Sequence, residues 1–118
     1  MSSMNIFKNE QDTVTYSAGE KIFSVGDPGD VMYAIKSGAV DIFFNEELLE
    51  TVGEGGIFGE MALVDKNVRS ANAIARTACE LVRIDEDRFD LLVKFNPYFA
   101  LEVLRVTVRR LRRMTSDT

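Results

Sequence analysis

The sequence predicts a mainly β fold of about eight short strands, closed as a roll or barrel, with helices at its C-terminal end. Three observations carry this prediction. Apolar and polar residues alternate in short runs over residues 13–84, turn-forming residues separate these runs, and the apolar spacing becomes helical after residue 85. The chain has 118 residues, 46% of them hydrophobic, which fits one compact domain with its own core.

Short strands and tight turns account for most of the chain. We expect residues 1–12 to form a polar leader that can include a short helix, with Ile6 and Phe7 as candidate anchors. The alternation predicts half-buried strands at residues 13–17, 21–25, 31–36, 39–44, 48–52, 69–76 and 79–84. Among the turns, residues 26–30 (Gly-Asp-Pro-Gly-Asp) give the clearest signal, because proline presets φ and glycine tolerates φ > 0. Small side chains on one face of strand 69–76 predict either a crowded barrel interior or a close approach to that strand.

Residues 55–71 combine a glycine cluster, one short helical turn and an arginine that enters a strand. Glycine lets a backbone come close to a ligand. Glu60, at the helical turn, can only accept hydrogen bonds when ionised, whereas Arg69 is a fork of donors suited to phosphate. An acceptor for sugar hydroxyls beside donors for phosphate predicts a site for a small phosphorylated sugar.

Two helices are predicted after the strands. Asp85 or Asp87 can cap a helix that begins near Glu86, and Pro97 suits the first position of a second helix. The second helix carries an apolar seam, which either folds back on the barrel or pairs with another chain: Leu101, Leu104, Val108 and Leu111.

A run of arginines lies on the same helix, at positions 105, 109, 110, 112 and 113. We interpret the run as a solvated face; the alternatives are a base-capping arginine and a surface for an acidic partner.

Charge and composition exclude several classes of function. Residues 1–104 carry 9 basic and 18 acidic side chains, or −9, whereas residues 105–118 carry 5 basic and 1 acidic, or +4. The acidic body argues against a broad nucleic-acid surface. Without histidine there is no His-based metal site or catalysis, and we expect neither an enzyme nor a cofactor. A single cysteine, Cys79, predicts a packing thiol and a cytoplasmic location, and no apolar run is long enough for a membrane segment.

The stretch Phe58-Gly59-Glu60-Met61-Ala62-Leu63, followed by Arg69-Ser70-Ala71, resembles the phosphate-binding cassette of cyclic nucleotide-binding domains. This family includes bacterial catabolite activators, regulatory subunits of cAMP-dependent protein kinase and cyclic nucleotide-gated channels. Segments 17–23, 26–30, 35–40 and 96–97 agree, so the resemblance covers roughly residues 13–114. It implies an eight-stranded β-roll, a jelly-roll-like double-stranded β-helix, at 13–85, with C-terminal helices at 86–118.

The resemblance also implies roles for individual residues. Glu60 would accept from the ribose 2′-OH, and Arg69 would pair with the cyclic phosphate. The other implied contacts are the backbone N–H groups of Gly59, Met61 and Ala62, the hydroxyl of Ser70, and a base cap at Met114 and Thr115. The family commonly has proline before the arginine, where this chain has Val68. Without ligand, we expect Arg69 to face Glu60 or another anion, because a buried arginine without a partner is costly.

The hypothesis is therefore a cyclic nucleotide sensor in which ligand docking moves the C-terminal helices. cAMP is favoured and cGMP is the alternative ligand. A β-roll that has lost its ligand and serves as an interaction module is the second hypothesis. The C-terminal helix is a candidate for homodimer or effector contact, and we expect no DNA-binding domain within these 118 residues.

Overall fold

The computed structural model describes residues 5–65 and 68–115. The predicted leader at 1–12, cassette at 55–71 and helical region at 86–118 each extend partly outside the described residues. No helix within the described ranges is long and apolar enough to cross a membrane.

In the described part of the chain, eight strands and three α-helices follow a 3₁₀ turn at Asn5–Phe7. The strands are β1 (Val14–Tyr16), β2 (Lys21–Phe23), β3 (Met32–Ser37), β4 (Val40–Phe44), β5 (Glu47–Val52), β6 (Ile57–Phe58), β7 (Asn72–Ala75) and β8 (Cys79–Ile84). The helices are α1 (Glu60–Asp65), α2 (Glu86–Phe95) and α3 (Pro97–Thr115). The predicted mainly β fold with C-terminal helices is confirmed.

The strands form two antiparallel four-stranded sheets, in the orders β1-β8-β3-β6 and β2-β7-β4-β5. Between β4 and β5 the chain turns on Asn45 and Glu46, whose φ angles of 53° and 67° are those of a tight hairpin turn. Strand β5 therefore begins at Glu47, one residue before the predicted strand 48–52. The two-residue strand β6 was not predicted, because its alternation is too short to detect.

The space between the sheets is filled by one apolar cluster. Ala73 and Ala75 of β7 are fully buried there, against Val40 and Ile42 of β4 and Leu81 of β8. The small side chains of β7 thus lie in a crowded interior, one of the two predicted explanations. Cys79 belongs to the same cluster, and burial raises the pKa of its thiol, as expected for a packing residue.

A second apolar cluster joins the outer face of β3 to the helices. Met32 and Ala34 of β3 are buried against Phe99 and Val103 of α3. The alternation in β3 predicted one buried face, but the helices cover the other face as well. Phe7 packs in this cluster too, as an anchor of the N-terminal segment.

The helix boundaries follow the predicted signals, but the buried side of α3 does not. Asp85 caps α2 by accepting from the Arg88 backbone N–H at 2.9 Å, and Pro97 begins α3. The residues of α3 that face the protein are Phe99, Val103, Val106 and Arg110. The predicted seam of Leu101, Leu104, Val108 and Leu111 is exposed, so of its two predicted alternatives the structure excludes that the seam folds back on the barrel.

A series of glycine substitutions tests the turn geometry. Gly38 has φ +92°, and a Cβ there would clash with the Ala78 carbonyl oxygen and lie 2.5 Å from Cys79 Cβ. We expect Gly38→Ala to lower the free energy of unfolding by about 2–4 kcal/mol, since strain and overpacking add. Urea titrations monitored by circular dichroism measure the change.

Two other glycines are matched controls. Gly19 has φ +87° with open space around it, so Gly19→Ala isolates the backbone strain and should cost about 1–2 kcal/mol. Gly53 has open space and no such φ, so Gly53→Ala should change stability by less than about 0.5 kcal/mol. Equal effects at all three sites would contradict this account.

Candidate functional site

A pocket lies between the second sheet, α1 and the end of α3, and the unoccupied space in and in front of it, open solvent included, is about 400 Å³. Its lining residues are Phe23, Ile42, Leu49, Phe58, Gly59, Glu60, Met61, Ala62, Arg69, Ser70, Ala71, Arg110 and Met114. The six residues predicted for sugar and phosphate contact are all among them. The pocket therefore brings together residues as far apart in the sequence as Phe23 and Met114.

The turn from β6 into α1 places Glu60 at the bottom of this pocket. Phe58 pairs with Tyr33 of β3, Gly59 takes φ +79°, and α1 begins at Glu60. The positive φ favours glycine, and the close packing also requires it, because a Cβ on Gly59 would lie 2.9 Å from Arg69 Nη1. Glu60 is only 2% exposed.

Glu60 is paired with Arg110 of α3. Arg110 Nη1 donates to Glu60 Oε1 at 2.8 Å, Nε donates to Glu50 Oε1 at 2.8 Å, and Nη2 donates to Glu50 Oε2 at 3.2 Å. Nη2 also donates to the Ile57 carbonyl at 2.7 Å. Burial alone would lower the pKa of Arg110, but the hydrogen bonds and charges of Glu50 and Glu60 outweigh burial and raise it. We call this group the Glu50–Arg110–Glu60 bridge.

Arg69, in contrast, has no carboxylate partner within the described ranges. It is 5% exposed, and its Nη1 and Nη2 donate to the Gly59 and Val31 carbonyls at 3.1 and 2.8 Å. Its guanidinium carbon lies 4.2 Å from the ring centre of Phe23. Its buried Nε has no hydrogen-bond partner in residues 5–65 and 68–115. Burial lowers the pKa of Arg69, so its charge is destabilised where it lies.

These contacts correct two expectations. The ion pair between Glu60 and Arg69 is absent from the described structure, because Arg110 holds Glu60 instead. The expected carboxylate at Arg69 is also not found among the described residues, where the Gly59 and Val31 carbonyls accept from its Nη1 and Nη2.

The loop at residues 26–30 encloses Arg69 from the other side. Arg69 N–H donates to the Asp27 carbonyl at 2.8 Å, and Gly26 N–H donates to the Arg69 carbonyl at 2.9 Å. A Cβ on Gly29 would come within 2.5 Å of Arg69 Nε. The turn that the sequence marks most clearly is thus part of the site.

Of the remaining predicted residues, four line the pocket and one lies outside it. Met61, Ala62 and Ser70 line the pocket, and the Ser70 hydroxyl lies 3.8 Å from Met61 sulfur. Met114 also lines it and packs against the core. Thr115 does not; its exposed hydroxyl donates to the Leu111 carbonyl at 2.9 Å.

Arg110 and Glu50 are the site residues that sequence reasoning missed. Arg110 was interpreted as part of a solvated run, yet it is 5% exposed. The signal was its register: position 110 continues the spacing of Phe99, Val103 and Val106, which face the protein. An arginine in a buried register needs carboxylate partners on the facing element.

The pocket can hold an anion next to a polyhydroxyl group and an apolar ring. Arg69 is a buried cation without an ion pair to a described carboxylate, and Glu60 keeps acceptor capacity beyond its bond to Arg110 because a carboxylate has about four acceptor positions. Ile42, Leu49 and Phe58 supply an apolar wall. No metal-binding cluster of His, Cys, Asp or Glu occurs in the part of the chain that the structure describes.

Comparisons with known proteins agree with this chemistry. The model of the cyclic nucleotide-binding domain family matches residues 13–95. The cAMP-dependent protein kinase regulatory subunit of Aspergillus niger is 37% identical over 84 residues, which are 70% of this chain and 20% of that protein. This chain thus corresponds to about one fifth of the length of that relative.

Solved structures give the same result over more of the chain. The catabolite activator protein of Thermus thermophilus is 34% identical with a TM-score of 0.76, covering 86% of this chain and 50% of that one. A protein described in work on a cyclic-GMP-dependent signalling pathway that regulates bacterial phytopathogenesis is 28% identical, with a TM-score of 0.75 and 94% of both chains covered. The fold, the pocket and these matches together show that the chain belongs to the cyclic nucleotide-binding domain family.

Proposed function

We propose that this protein is a cyclic nucleotide sensor with a preference for cAMP. One observation carries the proposal: Arg69 is a buried guanidinium that makes no ion pair with a described carboxylate and leaves its Nε without a hydrogen-bond partner there, and it shares a pocket with the acceptor Glu60. A cyclic phosphate supplies the missing negative charge, and the attached ribose supplies a hydroxyl donor.

The proposed contacts of the sugar and phosphate follow from the lining of the pocket. Arg69 pairs with the phosphate by exchanging its carbonyl contacts for charged ones, which are roughly twice as strong. Glu60 accepts from the ribose 2′-OH while still bonded to Arg110. The backbone N–H groups of Gly59, Met61 and Ala62 and the hydroxyl of Ser70 complete this set.

The base then lies toward the end of α3. Met114 lines the pocket and can cover an aromatic ring, but it does not read the hydrogen-bonding edge of a base. The preference for cAMP rests on the kinase regulatory subunit among the relatives, and cGMP is the alternative ligand. We retain Thr115 as a contact only for a state in which α3 has shifted.

The proposed response to ligand is a change in how α3 docks. The Glu50–Arg110–Glu60 bridge connects the ribose site directly to α3, so a ligand on Glu60 changes the interactions that hold the helix. A ligand shifts the equilibrium between helix positions only by its different affinity for them. The C-terminal helix is then the output, through an effector or a second copy.

The proposal has three further parts, which concern the mode of action, the cellular location and the division of the chain. The chain acts by binding and not by catalysis, it works in the cytoplasm, where a free Cys79 stays reduced, and it divides into a leader at 1–12, a β-roll at 13–85 and helices at 86–118.

Calorimetry with cAMP and cGMP tests the proposed ligand. We expect one site per chain and a dissociation constant for cAMP in roughly the micromolar range, since a ligand of this size gains about 0.3 kcal/mol per heavy atom. We expect cGMP to bind more weakly than cAMP at the same site, with each nucleotide displacing the other. A thermal shift measured on the same samples gives an independent readout.

The absence of heat and of a thermal shift with either nucleotide at millimolar concentration would refute the sensor and favour an interaction module. A preference for cGMP would change the identity of the proposed ligand but not the proposed binding site.

Hydrogen exchange of α3 tests the coupling. Arg110→Lys keeps the positive charge but loses the fork that spans Glu50, Glu60 and the Ile57 carbonyl. Without nucleotide, we expect the amides of residues 103–115 to exchange at least about tenfold faster, relative to those of β3, equivalent to about 1.4 kcal/mol.

The neighbouring exposed residue gives the control, because Arg109→Lys makes the same chemical change outside the bridge. Equal exchange in the two variants would mean that the bridge does not hold α3.

A further inference from the structure

The outward side of α3 carries an apolar stripe that no described residue covers. Leu101, Leu104, Val108 and Leu111 are between 40% and 60% exposed. They repeat at intervals of three and four residues, on the side opposite the buried residues of the helix. We call these four residues the outer stripe. A row of exposed leucines over about three turns marks an interaction surface.

Arginines flank the outer stripe on one side only. Arg105, Arg109, Arg112 and Arg113 are all exposed, and with 3.6 residues per turn they project from the same flank. The opposite flank carries Ala100 and Thr107, which have no charge.

The guanidinium groups of this flank have little compensation. Arg105 lies 3.8 Å from Glu102, a weak contact. Arg109, Arg112 and Arg113 make no ion pair with residues 5–65 or 68–115. A partner that covers the outer stripe therefore gains affinity if it brings carboxylates to this flank.

We infer that the outer stripe binds an acidic amphipathic helix of another protein. The leucines of such a helix pack on the outer stripe, and its glutamates or aspartates pair with the arginines of one flank. A membrane or a nucleic acid fits less well. Residues 1–104 carry a charge of −9, which repels an anionic surface, and phosphates do not use an apolar stripe. This inference does not depend on nucleotide binding.

A second copy of this chain fits this surface less well, because it does not bring carboxylates to the arginines. In an antiparallel pair of α3 helices the arginine flanks face each other and repel. In a parallel pair they face Ala100 and Thr107, so the leucines are covered but the guanidinium groups stay without carboxylates. An acidic helix satisfies both the apolar and the charged part.

Two synthetic helical peptides test the inference with the full chain. Both have leucine at heptad positions a and d; one has glutamate at the flanking e and g positions and the other has lysine. Fluorescence anisotropy of the labelled peptides measures binding. We expect the glutamate peptide to bind at least about tenfold tighter than the lysine peptide, because a few charge pairs of about 0.5 kcal/mol add up to that factor.

Substitutions on α3 should redirect this preference. The double substitution Arg105→Glu/Arg112→Glu should make the lysine peptide bind more tightly than the glutamate peptide. Leu104→Ser should weaken the binding of the glutamate peptide. The matched control is Lys8→Glu/Lys21→Glu, which changes net charge equally at exposed positions away from α3 and should keep the order. None of the substituted residues lines the pocket. Nucleotide affinity and thermal unfolding therefore show whether each variant is folded, independently of peptide binding.

Three results would overturn the inference. The first is equal binding, or no binding, of the two peptides. The second is self-association in sedimentation that excludes the glutamate peptide, which would assign the outer stripe to a second copy. The third is tighter binding to phosphatidylserine vesicles than to the glutamate peptide, which would assign it to a membrane.

Discussion

A buried positive charge that makes no ion pair with any described carboxylate is the constraint on which this structure depends. Arg69 is almost completely enclosed, yet its partners in the described residues are two backbone carbonyls and an aromatic ring. Carbonyl dipoles compensate a guanidinium less well than a carboxylate does. The protein carries this cost in the folded state, and an anion that enters the pocket relieves it. Stability and ligand binding are thereby linked through one side chain.

The second buried arginine shows the opposite arrangement. Arg110 has two carboxylates and a carbonyl, and its four hydrogen bonds join α3 to β5, α1 and the start of β6. A buried ion pair is costly to desolvate, so it contributes more to fixing a geometry than to net stability. Here it fixes the end of α3 against the pocket. The carboxylate that this bridge uses on α1 is the one proposed for the ribose.

The sequence predicts the fold and the cassette because both depend on local signals. Alternation, turn residues and the glycine before Glu60 each act over a few positions. The partners of Glu60 and Arg69 could not be predicted, because they depend on which side of α3 faces the barrel. That helix has two stripes at helical spacing, and the purely apolar one is exposed, whereas the buried one contains Arg110. The sequence pattern favours burial of the apolar stripe. The stripe that contains Arg110 is buried instead, because the carboxylates of Glu50 and Glu60 pair with that arginine.

The most direct test measures whether a preference for a ligand that carries a phosphate depends on Arg69, the proposed partner of that phosphate. Binding of cAMP and of adenosine, which lacks the phosphate, is measured with the native chain and with Arg69→Gln, and Arg76→Gln outside the pocket is the control. The account predicts that the native chain and the control prefer cAMP by roughly 100-fold, worth about 3 kcal/mol, and that Arg69→Gln loses this preference. If Arg69→Gln still prefers cAMP to the same extent, Arg69 does not bind the phosphate and the central claim fails.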